Sequence, residues 1–270
     1  MTTAIAPAAP KVTLGDVSAA KNPLPARVMT YGVDGIGKTT FWSEAPKPIF
    51  ICTEEGATRV EVAKFPLCES WGSLMDCLRA LVMEDHDYQT VVIDSADWAQ
   101  SLLVAHITER DFGGDPVAFD NYGRGWRPTM AEWIKFLAAL DVVRRRKNME
   151  IALIAHAVVS TFKNPEGDDY NIYKSNLHDS EKTSVWARTK EWCDLVLFMN
   201  YRVTVRDAEG AKDGPKKGKG VMVKGEQARL VHAQKNAAWE AKVRAGWEMP
   251  ASFPLSQAEF RNHINGKDAK

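Results

Sequence analysis

The stretch Gly32-Val33-Asp34-Gly35-Ile36-Gly37-Lys38-Thr39 reads G-x-x-x-x-G-K-T, a pattern that leaves a chain few folds to choose from. A short apolar run, Arg27-Val28-Met29-Thr30-Tyr31, precedes it, and a helix-compatible stretch from Thr39 to Glu44 follows. Strand, glycine-rich turn and helix in that order predict a P-loop standing at the edge of a parallel sheet. Gly32, Gly35 and Gly37 let the backbone curl so that successive N–H groups converge on phosphate oxygens. Val33, Asp34, Ile36 and the adjoining Thr40 complete the expected contact set. Lys38 adds a mobile positive charge for the outer phosphates, and the Thr39 hydroxyl is suited to ligate Mg²⁺. The expected ligand is a nucleoside triphosphate, ATP with Mg²⁺.

The rest of the chain supplies such a sheet. Ile49-Phe50-Ile51-Cys52, Thr90-Val91-Val92-Ile93-Asp94, Ile151-Ala152-Leu153-Ile154-Ala155-His156 and Leu195-Val196-Leu197-Phe198-Met199 are nearly unbroken apolar runs, as strands buried on both faces require. Helical spacing separates them over Ser73–Glu84, Ala96–Arg110, Pro128–Arg146 and Thr183–Cys193. Alternating units of this kind predict an α/β fold with a mostly parallel central sheet flanked by helices. A glycine-rich loop is expected from Asp111 to Trp126, and a long polar segment from Ser160 to Glu181. Tyr201–Val205 and Gly220–Val223 read as a C-terminal antiparallel hairpin with a basic tip (Lys212, Lys216, Lys217, Lys219). The expected organisation is a flexible arm over 1–25, one domain over 26–262 and a short tail over 263–270.

Lys plus Arg and Asp plus Glu balance at 35 each in 270 residues, so any polyanion must be held by local patches rather than a global field. Four cysteines lack zinc-ligand or C-x-x-C spacing and read as reduced thiols of a cytoplasmic protein. The Ala/Pro-rich start lacks the basic and apolar regions of a secretory signal, and no run reaches the ~18 apolar residues of a membrane span.

Asp94 ends its strand as the Walker B acid does, a second partner for the Mg²⁺ on Thr39. Ser95 follows it, so the carboxylate that orients attacking water must come from elsewhere. Glu54, ending the second strand, is the candidate, because parallel strands deliver their C-terminal ends to one crevice. Glu55 competes with it, but adjacent strand residues point in opposite directions. His156 ends the next strand beside the same crevice, at the position where RecA-like proteins, which this set resembles, carry a polar residue that senses the γ-phosphate.

These residues resemble the RecA-like ATPase core: P-loop, glutamate after the second strand, Asp-Ser after the third. Ala241-Lys242-Val243-Arg244-Ala245-Gly246 contains K-x-R-x-G, similar to the motif that DnaB-type helicases and RadA/Sms-type proteins place against a neighbouring subunit's nucleotide. The resemblance implies that Lys242 and Arg244 act in trans. Together with Asn121-Tyr122-Gly123-Arg124-Gly125-Trp126, Ile154-Ala155-His156-Ala157 and Cys193-Asp194-Leu195-Val196, the set resembles phage-encoded RecA-like single-strand annealing proteins of the Sak type over about residues 25 to 260. Glu55, where that family often has Gly, and the Trp-rich segment with Trp239 and Trp247 depart from it.

The resemblance implies DNA-stimulated ATP hydrolysis, single-stranded DNA binding, annealing or recombination, and assembly into a ring or filament. A single-stranded-DNA-binding protein is a further expected partner, and no membrane association is expected. Two loops interleave aromatic and basic residues that could stack bases and track phosphates: Arg110, Tyr122, Arg124 and Trp126, then Phe162, Lys163, Tyr170, Tyr173, Lys174, His178 and Lys182. The same residues also suit a DnaB- or RadA-like DNA motor, a helicase-loading ATPase or, with a lid the sequence does not display, a small-molecule P-loop kinase.

Overall fold

Residues 17, 24–56, 60–206, 219–222 and 228–265 are described by the computed structural model. Five parallel strands form the heart of one sheet: β1 (Arg27–Gly32), β2 (Pro48–Cys52), β4 (Thr90–Asp94), β5 (Glu150–Phe162) and β7 (Leu195–Tyr201). Their order is β7-β1-β5-β4-β2, so the strand carrying His156 lies between the P-loop strand and the strand ending in Asp94. The short β3 (Ala63–Lys64) adds one edge.

Side-chain alternation sorts each strand between two layers. Met29, Tyr31, Val91, Ile93, Ile151, Leu153, Val196 and Phe198 join the cluster under α2 (Trp71–Met83), α3 (Ala96–Phe112), α5 (Trp126–Lys147) and α6 (Val185–Trp192). Val28, Val92, Ala152, Ile154, Leu195 and Leu197 face the other way, toward Phe41 and Trp42 of α1 (Lys38–Ser43) and Phe260 of α7 (Gln257–Ile264). Helices therefore cover both faces, as near-continuous apolar strands require. The expected α/β class holds, with the strands and main helices within a few residues of their sequence positions.

Several local expectations are corrected. The glycine-rich stretch 111–126 holds a short helix α4 (Pro116–Asp120), started by Asp115 capping the Val117 amide, and a 3-10 turn at Asn121–Gly123. His156 does not end its strand, because β5 runs on to Phe162. The polar segment after it is in part a hairpin, in which Ala157–Phe162 pairs antiparallel with β6 (Tyr170–Ser175). That half of β5 has left the packed sheet and exposes one face, so its side chains are mixed in polarity.

On the β7 side the sheet turns antiparallel. β10 (Arg229–His232) pairs with β7, β12 (Ser252–Pro254) pairs with β10, and β11 (Lys242–Val243) pairs with the start of β7. The expected hairpin is present as β8 (Val203–Arg206) against β9 (Lys219–Met222). Its tip residues Lys212, Lys216 and Lys217 lie outside the described residues. Trp239 packs within an aromatic group with Phe198 and His232, and Trp247 against the α1-side core. Tyr31 is buried beneath this group and donates its hydroxyl to the Glu240 carbonyl at 2.6 Å. All four cysteines are free thiols.

Candidate nucleotide site and adjoining groove

The P-loop spans from the end of β1 to the first turn of α1. Gly32 closes the strand where a Cβ would lie 2.4 Å from the Met199 carbonyl oxygen, so only glycine fits between β1 and β7. Gly37 sits at φ 105°, a left-handed conformation that a side chain would strain. Behind the loop, Arg229 donates to the Ile36 carbonyl at 3.2 Å and the Tyr201 hydroxyl to the Gly35 carbonyl at 3.4 Å. The antiparallel extension thus buttresses the loop, a role that no motif announces.

Lys38 is 7 % exposed, and its Nζ donates to the carbonyls of Gly32 (3.0 Å) and Val33 (3.1 Å). Burial lowers its pKa, opposed by the carboxylates of Asp34, Asp94, Asp97 and Glu54. Thr39 Oγ1 donates to Asp94 Oδ2 at 2.8 Å, joining the first turn of α1 to the end of β4. Burial raises the Asp94 pKa, with the Thr39 hydrogen bond and Lys38 pulling it down. Thr53 locks the neighbouring strand ends: its hydroxyl donates to the Ser95 carbonyl (2.8 Å) and accepts from the Ser95 amide (2.9 Å).

Glu54 follows Thr53 and lines a cleft of about 610 Å³ with Asp34, Asp97, Trp98, His156 and Asn176. Its charge acts on Lys38, Asp94 and His156, whereas Glu55 is exposed and outside that lining. Asp97, in the first turn of α3, accepts from the His156 amide (3.1 Å) and lies 2.9 Å from His156 Nδ1. Asp97 was not singled out from the sequence, although its three-residue spacing from Asp94 puts it in the helix turn that opens on the same cleft. Lys38, Thr39, Glu54, Asp94 and His156 therefore meet at one end of the sheet.

Lys242 and Arg244 do not join them. Lys242 Nζ donates to the carbonyls of Lys190, Glu191 and Cys193, where α6 ends, at 2.8–3.0 Å. Arg244 Nε lies 3.1 Å from Asp194 Oδ1, and Nη2 donates to the Glu191 carbonyl at 2.9 Å. Both flank the start of β7, four residues, or about 13 Å of strand, before the Met199 that abuts Gly32.

Of the aromatic and basic loop residues, Tyr122, Arg124 and Trp126 come together. With Arg127, His178 and Lys182 they line a groove of about 870 Å³, in which Trp126 stacks on the His178 ring at 3.5 Å and 6°. Tyr122 is 96 % exposed at φ 53°, and Arg124, Arg127 and Lys182 form no ion pair among the described residues. Glu181 also borders the groove. Phe162, Lys163, Tyr173 and Lys174 lie instead along the β5–β6 hairpin and are engaged within the chain. Lys163 pairs with Asp169 (2.6 Å), Lys174 with Asp179 (3.0 Å), Phe162 with the Tyr170 ring, and Tyr173 stacks on Phe198. Arg110 is held by Asp111 and Glu132.

Among the described residues no helix is long and apolar enough to cross a membrane. A solved RadB recombinase is similar over 77% of this chain and 80% of its own, at 14% identity and a TM-score of 0.40. No curated protein matches the sequence. The family model described as an AAA domain matches residues 24–245, the whole span from the strand before the P-loop to Arg244 and the residue after it, and the chain belongs to that AAA domain family.

Proposed function

We propose that the protein is a RecA-like ATPase that hydrolyses ATP while bound to single-stranded DNA and serves homologous recombination by strand annealing. The observation that carries the ATPase is the 2.8 Å contact between Thr39 and Asp94, which sets a hydroxyl and a carboxylate side by side at the mouth of the phosphate loop. That pair would hold a Mg²⁺ ion, a hard cation that takes oxygen ligands. Bound there, Mg²⁺ would neutralise charge on the β- and γ-phosphates.

The remaining chemistry falls to the chain. The loop amides from Gly32 to Thr39, with Thr40, hold the phosphates, and Lys38 exchanges its two carbonyl partners for phosphate oxygens. Glu54 orients a water for in-line attack on the γ-phosphate and accepts its proton. His156 contacts the terminal phosphate from the adjacent strand. Lys242 and Arg244 serve the nucleotide of another subunit in a ring or filament, since their own P-loop is out of reach; a guanidinium so placed stabilises charge in the transition state. DNA runs along the groove of Tyr122, Arg124 and Trp126, where the exposed Tyr122 ring and cations without an ion pair among the described residues suit unstacked bases and phosphates. Phe162, Lys163, Tyr173 and Lys174, engaged within the chain along the hairpin, are not part of that groove's lining. The Sak-type phage annealing proteins, acting beside a single-stranded-DNA-binding protein in the host cytoplasm, are the group this function matches.

Measuring ATP turnover with and without a single-stranded oligonucleotide tests the proposal. Stimulation by DNA is expected; hydrolysis indifferent to DNA at every salt concentration would remove the recombination role and leave an ATPase.

A further inference from the structure

Asp97 has more structure around it than a helix-start acid needs. It is 6 % exposed, yet both oxygens are spent on one residue: Oδ1 accepts the His156 amide at 3.1 Å and Oδ2 meets His156 Nδ1 at 2.9 Å. A carboxylate only accepts, so Nδ1 carries the hydrogen of that contact. The other ring nitrogen, Nε2, then has no protein partner among the described residues, and the ring borders the cleft it shares with Glu54 and Asp34. His156 follows the stretch of β5 wedged between the P-loop strand and the strand ending in Asp94. Its ring is fixed in plane and rotation at the edge of that cleft.

We propose that Asp97 is a positioning residue, which holds the His156 ring with Nδ1–H inward and presents Nε2 to the terminal phosphate oxygens. This rests on the nucleotide reading above. Phosphate oxygens accept hydrogen bonds, so Nε2 must carry a proton to engage them, and the ring must then be an imidazolium. The surroundings favour that form. Hydrogen bonding to Asp97 raises the His156 pKa above the ordinary value, burial and Lys38 from α1 oppose it, and Glu54 from the end of β2 adds to it. Asp94 at the end of β4 feels the charge of the same ring, which pulls its pKa down against burial. Burial works against ionising Asp97, but the His156 hydrogen bonds outweigh it and keep the carboxyl below its ordinary range. The pair is a charge-assisted hydrogen bond.

Long-range ¹H–¹⁵N NMR spectra of the full chain carrying ¹⁵N-histidine, assigned with His156→Gln, read the tautomer directly. The wild-type ring is expected to be Nδ1-protonated when neutral and to titrate above an ordinary histidine. Asp97→Asn is expected to lower that midpoint by about one pH unit, a tenfold change in proton affinity, and to release the tautomer. In turnover assays Asp97→Asn is expected to lower kcat about tenfold with KM within twofold, and to add nothing on a His156→Gln background. An Nε2–H tautomer in the wild type, a midpoint at or below the ordinary value, or a full Asp97→Asn effect without His156 would overturn the proposal. Should Asp97→Asn not fold, the wild-type spectra still decide. The inward tautomer in a chain that hydrolyses no ATP upholds the positioning and sinks the ATPase instead.

Discussion

Thr39 Oγ1 lies 2.8 Å from Asp94 Oδ2, although 55 residues of chain separate them. The contact joins the two side chains read from the sequence as Mg²⁺ partners. Thr39→Val and Asp94→Asn should each lower Mg²⁺-dependent turnover at least a hundredfold, the scale of losing one preorganised electrostatic group. ATP affinity measured in EDTA should change only a few-fold. Equal affinity losses with and without Mg²⁺ would show that the pair supports the loop rather than the metal.

Glu54 and Glu55 are neighbours with different surroundings, one in the cleft and one exposed. Glu54→Gln should abolish single-turnover hydrolysis, by roughly a hundredfold or more, while ATP still binds. Glu55→Gln should hydrolyse normally. Rapid-quench assays separate the two, and the reverse result would move the water-positioning role to Glu55.

Asp194 is a buried carboxylate ringed by arginines: Arg27 Nη2 at 2.9 Å, Arg244 Nε at 3.1 Å and Arg144 Nη2 at 3.4 Å. Burial disfavours its charge, but the Arg27 hydrogen bonds prevail and hold its pKa below the ordinary carboxylate value. A depressed carboxylate stabilises the fold above its unfolded pKa, and the gain is lost as pH falls through the folded value. Asp194→Asn should therefore cost about 3 kcal/mol near pH 7, and the gap from wild type should narrow below about pH 4. Denaturant melts at both pH values check this; a gap independent of pH would contradict it.

Arg244 is bound to the same carboxylate but stays part exposed. Arg244→Ala should cost little stability, about 1 kcal/mol or less, and should remove turnover while sparing ATP affinity. Mixing Arg244→Ala with Lys38→Ala subunits should restore part of the activity, because each supplies what the other lacks at shared interfaces. Loss of turnover with no rescue on mixing would assign Arg244 to holding the α6 end and Asp194.

The groove and the hairpin separate two sets of DNA candidates. Replacing Arg124 and Lys182 should weaken oligonucleotide binding and flatten its salt dependence by about one counterion per charge. Tyr122→Ala should cost roughly 1–3 kcal/mol of binding. Lys163→Ala should have little effect, since Lys163 is committed to Asp169. Fluorescence anisotropy across a salt series measures all three.

How much of this was legible in the sequence depended on how local the signal is. The P-loop, Asp94 and the buried strands were readable because glycine placement and unbroken apolar runs are written in consecutive residues. The nearness of Glu54 to the crevice followed from strand polarity alone. Asp97 was missed because its role lies in a contact with His156, 59 residues away, which no spacing rule reports. The β5–β6 hairpin was missed because a strand that leaves the sheet loses its apolar pattern. Arg229 and Tyr201 behind the P-loop come from antiparallel strands added late in the chain, with short runs and no motif. Trp239 and Trp247 had no sequence rationale and prove to be packing residues.

The central claim is that the loop from Gly32 to Thr39 grips a triphosphate, with Lys38 as its cation. Isothermal titration calorimetry of Mg²⁺-ATP into the folded chain, beside Lys38→Ala, tests it most directly. Saturable one-site binding by the wild type and its loss in Lys38→Ala are predicted. No heat from the wild type, or undiminished binding by Lys38→Ala, would contradict it.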